Sequence, residues 1–220
     1  MKEAFKTVYE GGFGEFEMKK SRFLATVCPV ETEEEALGII EGLKKKYWDA
    51  SHNCFAYIIG TDQPLMRCSD DGEPSKTAGR PMLDLLLARE LTNLVVVVTR
   101  YFGGTLLGTG GLVKAYQSAA LEGLNNSNII TKEIGIRLQL ETDYNLIGKL
   151  QYYFSQEQLT LLSSDYTDIV RLELLIPPSK HSAFMKKVSE LTNGLAAPVE
   201  LDKVYFTKLD GKIHLFDPCL

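Results

Sequence analysis

The sequence predicts an α+β protein whose C-terminal part has the ferredoxin-like order βαββαβ. Three observations carry this. The run NLVVVVTR (93–100) is a short apolar strand of the kind covered on both faces. Helical stripes, such as Ala36, Ile39, Ile40, Leu43 and Tyr47, alternate with such strands in the first part of the chain. Beyond residue 128, strict alternation gives way to helical spacing and returns, in the order strand, helix, two strands, helix, strand.

In order, RFLATVC (22–28) reads as a strand. A helix follows from Thr32, whose hydroxyl caps it while Glu35 reaches back in a capping box; Lys44, Lys45 and Lys46 suit its C-terminal end. NCFAYIIG (53–60) is a second strand, and PMLDLLLAREL is a buried helix with Pro81 near its start. After NLVVVVTR comes the glycine loop YFGGTLLGTGG, then a helix, LVKAYQSAALEGL.

NNSN (125–128) is the expected domain boundary, which gives a first domain at 1–130, a second at 131–207 and a C-terminal extension at 208–220. In the second domain Ile134, Ile136, Leu138, Leu140 and Thr142 share one strand face, and Leu146, Ile147, Leu150, Tyr153 and Phe154 recur at helical spacing. LTLLS (159–163) and DIVRLELLI (168–176) form a hairpin around SDYT; a helix with Phe184, Val188 and Leu191 and the strand VELDKVYF complete the set. The tail TKLDGKIHLFDPCL is read as a hairpin extension over a sheet edge.

Composition narrows function. The 220 residues are 45% hydrophobic and 24% charged, ordinary for a globular chain, and 24 basic against 29 acidic residues give a net charge of -5. The chain as a whole is not drawn to phosphate backbones or anionic lipid, so any nucleic-acid surface is a local patch, and DNA is not expected as a partner. No run approaches a membrane span or a signal peptide, so a cytoplasmic protein is expected. Cys28, Cys54, Cys68 and Cys219 show no CxxC spacing and no zinc-type pairing with His52, His181 or His214, which points to reduced, packed thiols.

Two segments could carry chemistry. SDDGEPSKTAGRP (69–81) leads into a helix with Ser75 or Thr77 as its expected cap. TRYFGGTLLGTGGLVKAY (99–116) places Gly108, Gly110 and Gly111 where amides at a helix start can approach an anion. The nucleotide patterns fail: GxGxxG would need glycine at Val113, and no Gly-Lys-Ser/Thr is present. Lys76, Arg80, Arg100 and Lys114 would complete one anion-binding cleft if the fold unites the two segments. Asp70, Asp71 and Glu73 could instead hold a divalent cation, although turns, caps and pairing with Arg80 or Arg100 explain them better. His52 and Cys54 share a strand face, yet without an orienting acid they read as a structural histidine and a packed thiol rather than a catalytic pair. On the polar face of the second domain, Arg137, Gln139, Glu141, Arg171 and Glu173 offer no rings for base stacking.

The strings SDDGEPSKTAG and VVVVTRYFGGTLLGTGGLVKAY, in that order, resemble the signature of the IMPACT/YigZ family. The resemblance implies an N-terminal domain like the second domain of a small-subunit ribosomal protein. It also implies a ferredoxin-like second domain, a pairing similar to the last two domains of elongation factor G. It further implies an association with translation, through the ribosome, RNA or a translation-related protein. Eukaryotic relatives regulate initiation through a further N-terminal domain that is not in this sequence, so their partner does not carry over. Lys76 stands where the family usually has glycine, Leu106 where lysine is frequent, and Lys114 replaces a common arginine, keeping charge but losing the bidentate fork.

The expected site is therefore a shared cleft formed by residues 69–81 and 100–111. Its candidate residues are Asp70, Asp71, Glu73, Thr77, Arg80, Arg100, Tyr101, Gly103, Gly104, Gly108, Gly110, Gly111 and Lys114. The expected function is non-enzymatic binding in translation, with no cofactor and no metal. The alternatives are an enzyme acting on a phosphorylated small molecule, by analogy with the galactokinase and homoserine kinase group, and a metal-dependent hydrolase resting on Asp70, Asp71 and Glu73.

Overall fold

The computed structural model describes residues 2–217, in two units that divide between Thr131 and Lys132. The first unit contains β1 (Ala4–Glu10), β2 (Phe13–Met18), β3 (Ser21–Pro29), α1 (Glu33–Lys46), β4 (His52–Ile59), β5 (Leu65–Ser69), α2 (Gly79–Ala88), β6 (Leu94–Tyr101) and α3 (Gly108–Asn125). Its antiparallel sheet has the order β2-β3-β6-β4-β5.

The central strand β6 explains the unbroken valine run. Leu94, Val96 and Val98 enter a core with Met82, Leu86, Tyr116 and Ala119 of α2 and α3. Val95 and Val97 face the other way, into a core with Ala36 and Ile40 of α1. With helices on both faces, alternation in side-chain direction no longer produces alternation in polarity. The expected capping box at Thr32 and Glu35 is present: Glu35 N donates to Thr32 Oγ1 at 3.2 Å, and Thr32 N to Glu35 Oε2 at 3.4 Å.

Three strands, β1, β2 and β5, lie outside the elements expected from sequence. β2 contains Gly14, and β5 is a short edge strand of partly exposed residues, so neither carries a strong apolar signal. Gly14 has a packing reason. A methyl there would sit 2.3 Å from Gly123 N, and one on Gly123 would sit 2.9 Å from Val27 Cγ2. α3 therefore lies on the sheet at backbone distance, along a seam that only glycine allows.

The second unit is built from β7 (Asn128–Thr142), α4 (Ile147–Gln156), β8 (Thr160–Tyr166), β9 (Val170–Ile176), α5 (His181–Thr192), β10 (Val199–Leu209) and β11 (Lys212–Phe216). Its antiparallel strands follow the order β11-β10-β7-β9-β8, so the first and third strands of the βαββαβ set pair at the centre. Ile136, Leu138, Leu140, Val170, Leu172 and Leu174 meet Leu150, Phe154, Phe184 and Val188 in one core, which places both helices on one face.

Polar side chains of this sheet pair across strands. Arg137 makes two 2.7 Å bonds to Asp202 and lies 3.3 Å from Glu173, and Arg171 reaches Glu141 at 2.9 Å. The hairpin turn lies after Tyr166 rather than at SDYT, because β8 continues through Tyr166 opposite Val170. The tail forms a hairpin with β10 through Asp210 and Gly211, both at positive φ, as a tight turn of this handedness requires.

Cys28, Cys54 and Cys68 are free thiols; Cys54 is buried, Cys28 half-buried and Cys68 exposed, so packing holds for only part of the set, and Cys219 lies outside the described residues. Among the described residues, no helix is long and apolar enough to cross a membrane.

Candidate functional site

The segment after β5 is organised by Asp70. Its Oδ1 accepts the amides of Ala78 at 3.0 Å and Gly79 at 2.9 Å, and its Oδ2 accepts the amide of Lys76 at 2.8 Å. The start of α2 is thus capped by a carboxylate eight residues upstream, and neither Ser75 nor Thr77 serves as the cap. Thr77 is buried and its hydroxyl donates to the Pro74 carbonyl at 2.6 Å. The Thr77, Ala78 and Gly79 amides at the start of α2, part of a candidate anion site in the sequence, are satisfied from within the chain.

Asp71 turns away from Asp70. It accepts Asn53 N at 2.7 Å and Lys44 Nζ at 2.6 Å, while its carbonyl bonds His52 Nδ1 at 2.8 Å. Glu73 is buried; its Oε1 accepts Arg100 Nη1 at 2.6 Å and the Tyr116 hydroxyl at 2.8 Å, with His52 Nε2 at 3.9 Å. The three carboxylates therefore diverge into separate tasks. Among the described residues no group of His, Cys, Asp and Glu is arranged to hold a metal ion.

Cys54 donates to the Asp70 carbonyl at 3.0 Å and to Tyr116 Oη at 3.3 Å, while His52 points to Asp71 and Glu73. Each therefore has its own partners, and no thiolate-imidazole pair is formed. Burial pushes the Cys54 thiol up, against a lowering from its Tyr116 bond; burial first, then Cys54 and Glu73, pushes the Tyr116 phenol up. Both groups are neutral floor elements.

The second segment differs from expectation in one respect. The glycine-rich string is not all loop: Gly108, Thr109, Gly110 and Gly111 are the first turn of α3. Gly108 has φ +72 and Gly104 φ +80, and at Gly104, Gly108 and Gly110 an added methyl would meet nothing within 4 Å. No side chain caps α3, and its first turn holds no acidic residue. Gly103 has a packing role instead, since a methyl there would lie 2.1 Å from the Lys20 carbonyl carbon, and its amide donates to Ser21 Oγ at 3.1 Å.

The two segments come together. Gly72, Glu73 and Pro74 from the first, and Arg100, Phe102, Leu106, Leu107, Gly108 and Thr109 from the second, line one cleft of about 490 Å³ with Ser51, His52 and Leu112. Of the expected residues, Glu73, Arg100 and Gly108 are on its walls. Asp70, Asp71 and Thr77 shape it from behind through the bonds above. Arg80 is exposed and pairs with Asp84 at 2.8 Å, Tyr101 bonds Asp49 at 3.0 Å, and neither lines the cleft. Lys114 is exposed on α3 and also outside it.

Strand alternation explains the split between Arg100 and Tyr101: neighbours on β6 point to opposite faces. Ser51 and Leu112 were not separable by sequence from ordinary loop and helix residues, and His52, read as a structural histidine, was not placed in the cleft. Tyr116 was legible only as one residue of the expected helix LVKAYQSAALEGL, although it joins Cys54 to Glu73 beneath the cleft.

Comparison with known proteins covers both units. Residues 19–124 match the Impact N-terminal domain, and residues 140–195 match a domain of unknown function designated DUF1949. IMPACT family member YvyE of Bacillus subtilis (strain 168) is 38% identical over 208 residues, covering 94% of this chain and 96% of the relative. IMPACT family member YigZ of Escherichia coli (strain K12) is 34% identical over 180 residues, covering 81% and 88%. A crystal structure described as that of a hypothetical protein aligns with a TM-score of 0.59 and 30% identity, over 92% of this chain and 99% of that one. With both halves matched, and at more than one-third identity along nearly the full length of a relative, the chain belongs to the IMPACT family.

Proposed function

We propose that this protein is a non-enzymatic regulator in translation that binds ribosomal RNA, with the cleft of the first unit as the centre of its contact surface. Family membership supplies the translation context. Chemistry supplies the partner. Although the chain carries a net charge of -5, exposed lysines lie close in sequence or in backbone contact to the segments that line the cleft.

Lys19 and Lys20 form the turn whose backbone abuts Gly103, and Lys76 sits between the two carboxylate-organised turns. Lys45 and Lys46 are exposed just ahead of Trp48, which is 82% exposed and three residues from Ser51 on the cleft wall. A lone tryptophan left in water beside cations suits base stacking and phosphate contact. These exposed lysines and Trp48, beside cleft-lining segments in the chain, are the observation that carries the reading. No catalytic role is proposed: beneath the cleft Glu73, Arg100, Tyr116 and Cys54 are engaged with one another.

We read the second unit, from its element order and its central pairing of first and third strands, as a ferredoxin-like domain that joins the first at the boundary expected near residue 130. Its paired charges make it the less adhesive surface. Co-sedimentation with ribosomes across a salt series tests the function. Binding at low salt should fall steeply as salt rises, by about one logarithmic unit per unit of log salt for each phosphate contacted. The double change Lys19→Glu and Lys20→Glu should flatten that slope by about two such units. Absence of ribosome or RNA retention at low salt rules the function out.

A further inference from the structure

We infer that the cleft of the first unit takes one unstacked base of a single-stranded RNA, with His52 Nε2 accepting an N–H of that base. The inference rests on the reading of the cleft as the centre of RNA contact and names what enters it. His52 lines the cleft with its side chain 24% exposed, and its Nδ1 lies 2.8 Å from the Asp71 carbonyl. A carbonyl only accepts, so Nδ1 carries the proton, and in the neutral ring Nε2 is the acceptor. Among the described residues nothing donates to it. Glu73 Oε1, at 3.9 Å, is beyond hydrogen-bond distance and already accepts from Arg100 and Tyr116. The backbone thus fixes the tautomer, and the fold leaves the other nitrogen to a donor brought in from outside.

The aromatic wall is the second observation. Phe102 lines the same cleft, and the Arg100 guanidinium packs 5.5 Å from its ring centroid, which holds the ring in place while leaving the residue 50% exposed. Pro74, Leu107 and Leu112 add apolar surface, and the hydroxyls of Ser51 and Thr109 add two groups that can donate or accept. A held ring beside a few polar atoms fits a flat heterocycle with a hydrogen-bonding edge. An aliphatic side chain in the same place would fill the apolar part and leave His52 Nε2 without a donor.

Size and charge make the occupant part of a strand. A cleft of about 490 Å³ is the size of small-molecule sites, enough for one base and its sugar and too small for a duplex. Leu106 lines it and is 82% exposed, an apolar side chain of the kind that wedges into a stack where a base has left it. The exposed Lys19 and Lys20, whose backbone abuts Gly103 next to Phe102, complement the phosphates that flank the base.

The test is fluorescence anisotropy of the full chain at low salt with a labelled single-stranded oligoribonucleotide, with the same strand annealed to its complement, and with adenosine as competitor. Charge contact alone favours the duplex, whose phosphates are denser. A base-accepting cleft reverses that order, and the single strand should bind at least about tenfold more tightly. His52→Asn keeps a donor for the Asp71 carbonyl and removes the distal acceptor, so it should narrow this preference by about fivefold. His52→Gln, whose amide oxygen reaches the place of Nε2, should retain more of it.

Leu106→Ser carries the test should the histidine variants fail to fold. At a position so exposed the melting temperature should hold, while single-strand affinity falls at least about threefold and duplex affinity stays the same. Equal or tighter binding of the duplex, or a single-strand affinity unchanged in Leu106→Ser, overturns the base site. Adenosine binding as tightly as the strand makes the occupant a free nucleoside and overturns its assignment to RNA. Ribosome co-sedimentation that persists beside either result leaves the translation role standing. A single-strand preference without co-sedimentation keeps the base site and removes that role.

Discussion

Asp70 accepts the Gly79 amide at 2.9 Å, closing the first turn of α2 from a position nine residues away. One carboxylate thereby fixes the Lys76, Ala78 and Gly79 amides and the whole loop between β5 and α2. Asp70→Ala should destabilise the protein by about 2 kcal/mol or more, beyond an ordinary cap, because three donors lose their acceptor together. Asp70→Asn, which keeps one acceptor oxygen, should cost less. Urea unfolding of the two variants checks the ranking.

The Glu73 and Arg100 pair lies under the cleft, with side chains 3% and 7% exposed. Glu73→Ala would leave a buried guanidinium without its counter-charge, and should cost about 3–5 kcal/mol. Tyr116→Phe removes one hydrogen bond to the same carboxylate and should cost about 1 kcal/mol. A Tyr116→Phe variant less stable than Glu73→Ala would contradict this assignment of the floor.

Lys76 adopts φ +64, a left-handed conformation that costs a residue with a side chain about 1–2 kcal/mol. Lys76→Gly should therefore raise stability by up to about 1 kcal/mol, since glycine relieves the strain but brings a more flexible unfolded chain. The same change should weaken RNA retention at low salt by removing one rim cation. Thermal melts and salt-dependent binding report the two effects separately.

Alkaline pH should unfold the protein in a defined sense. Cys54 and Tyr116 have ordinary values of 9.0 and 10.0, and in the folded state burial raises both. Their contribution is complete below pH about 9; above it the unfolded chain loses protons that the folded chain retains, so stability falls as pH climbs. Cys54→Ala combined with Tyr116→Phe should flatten the decline between pH 9 and 11, measured as unfolding free energy against pH.

Divalent cations should leave the melting temperature unchanged. The oxygens of Asp70 and Asp71 are taken by amides and Lys44, Glu73 Oε1 is taken by Arg100 and Tyr116, and no group of these carboxylates is arranged to hold a metal among the described residues. A rise in melting temperature with millimolar magnesium or manganese would show a binding site where the bonding predicts none.

Much of the architecture was legible because it rests on local signals. The valine run, the Thr32 capping box and the alternating strands of the second unit each state their environment in a few adjacent residues. The approach of the two glycine-bearing segments was legible as well, since both flank helices packed on the same sheet. Partner choice within the site was not. Asp70, Asp71 and Glu73 are near neighbours in sequence, yet one caps a helix, one ties β4 to Lys44 and one neutralises a buried arginine. Which carboxylate does which depends on backbone direction over two or three residues, including positive φ at Asp71 and Gly72, and composition does not encode that. Tyr116 escaped notice because a tyrosine on an apolar stripe looks the same whether or not its hydroxyl has work to do.

The glycine seam under α3 has a mechanical consequence. From Gly123 to Gly108 the helix runs about 22 Å as one stiff rod. Gly14 acts as the fulcrum pressed against its far end. A single methyl at Gly14 would have to lift that end by about 1 Å, and the rod would transmit the tilt to the tip that borders the cleft. Gly14 and Gly123, neither of which lines the cleft, thus set the aim of the helix, and their conversion to alanine should disarm the cleft without touching its lining.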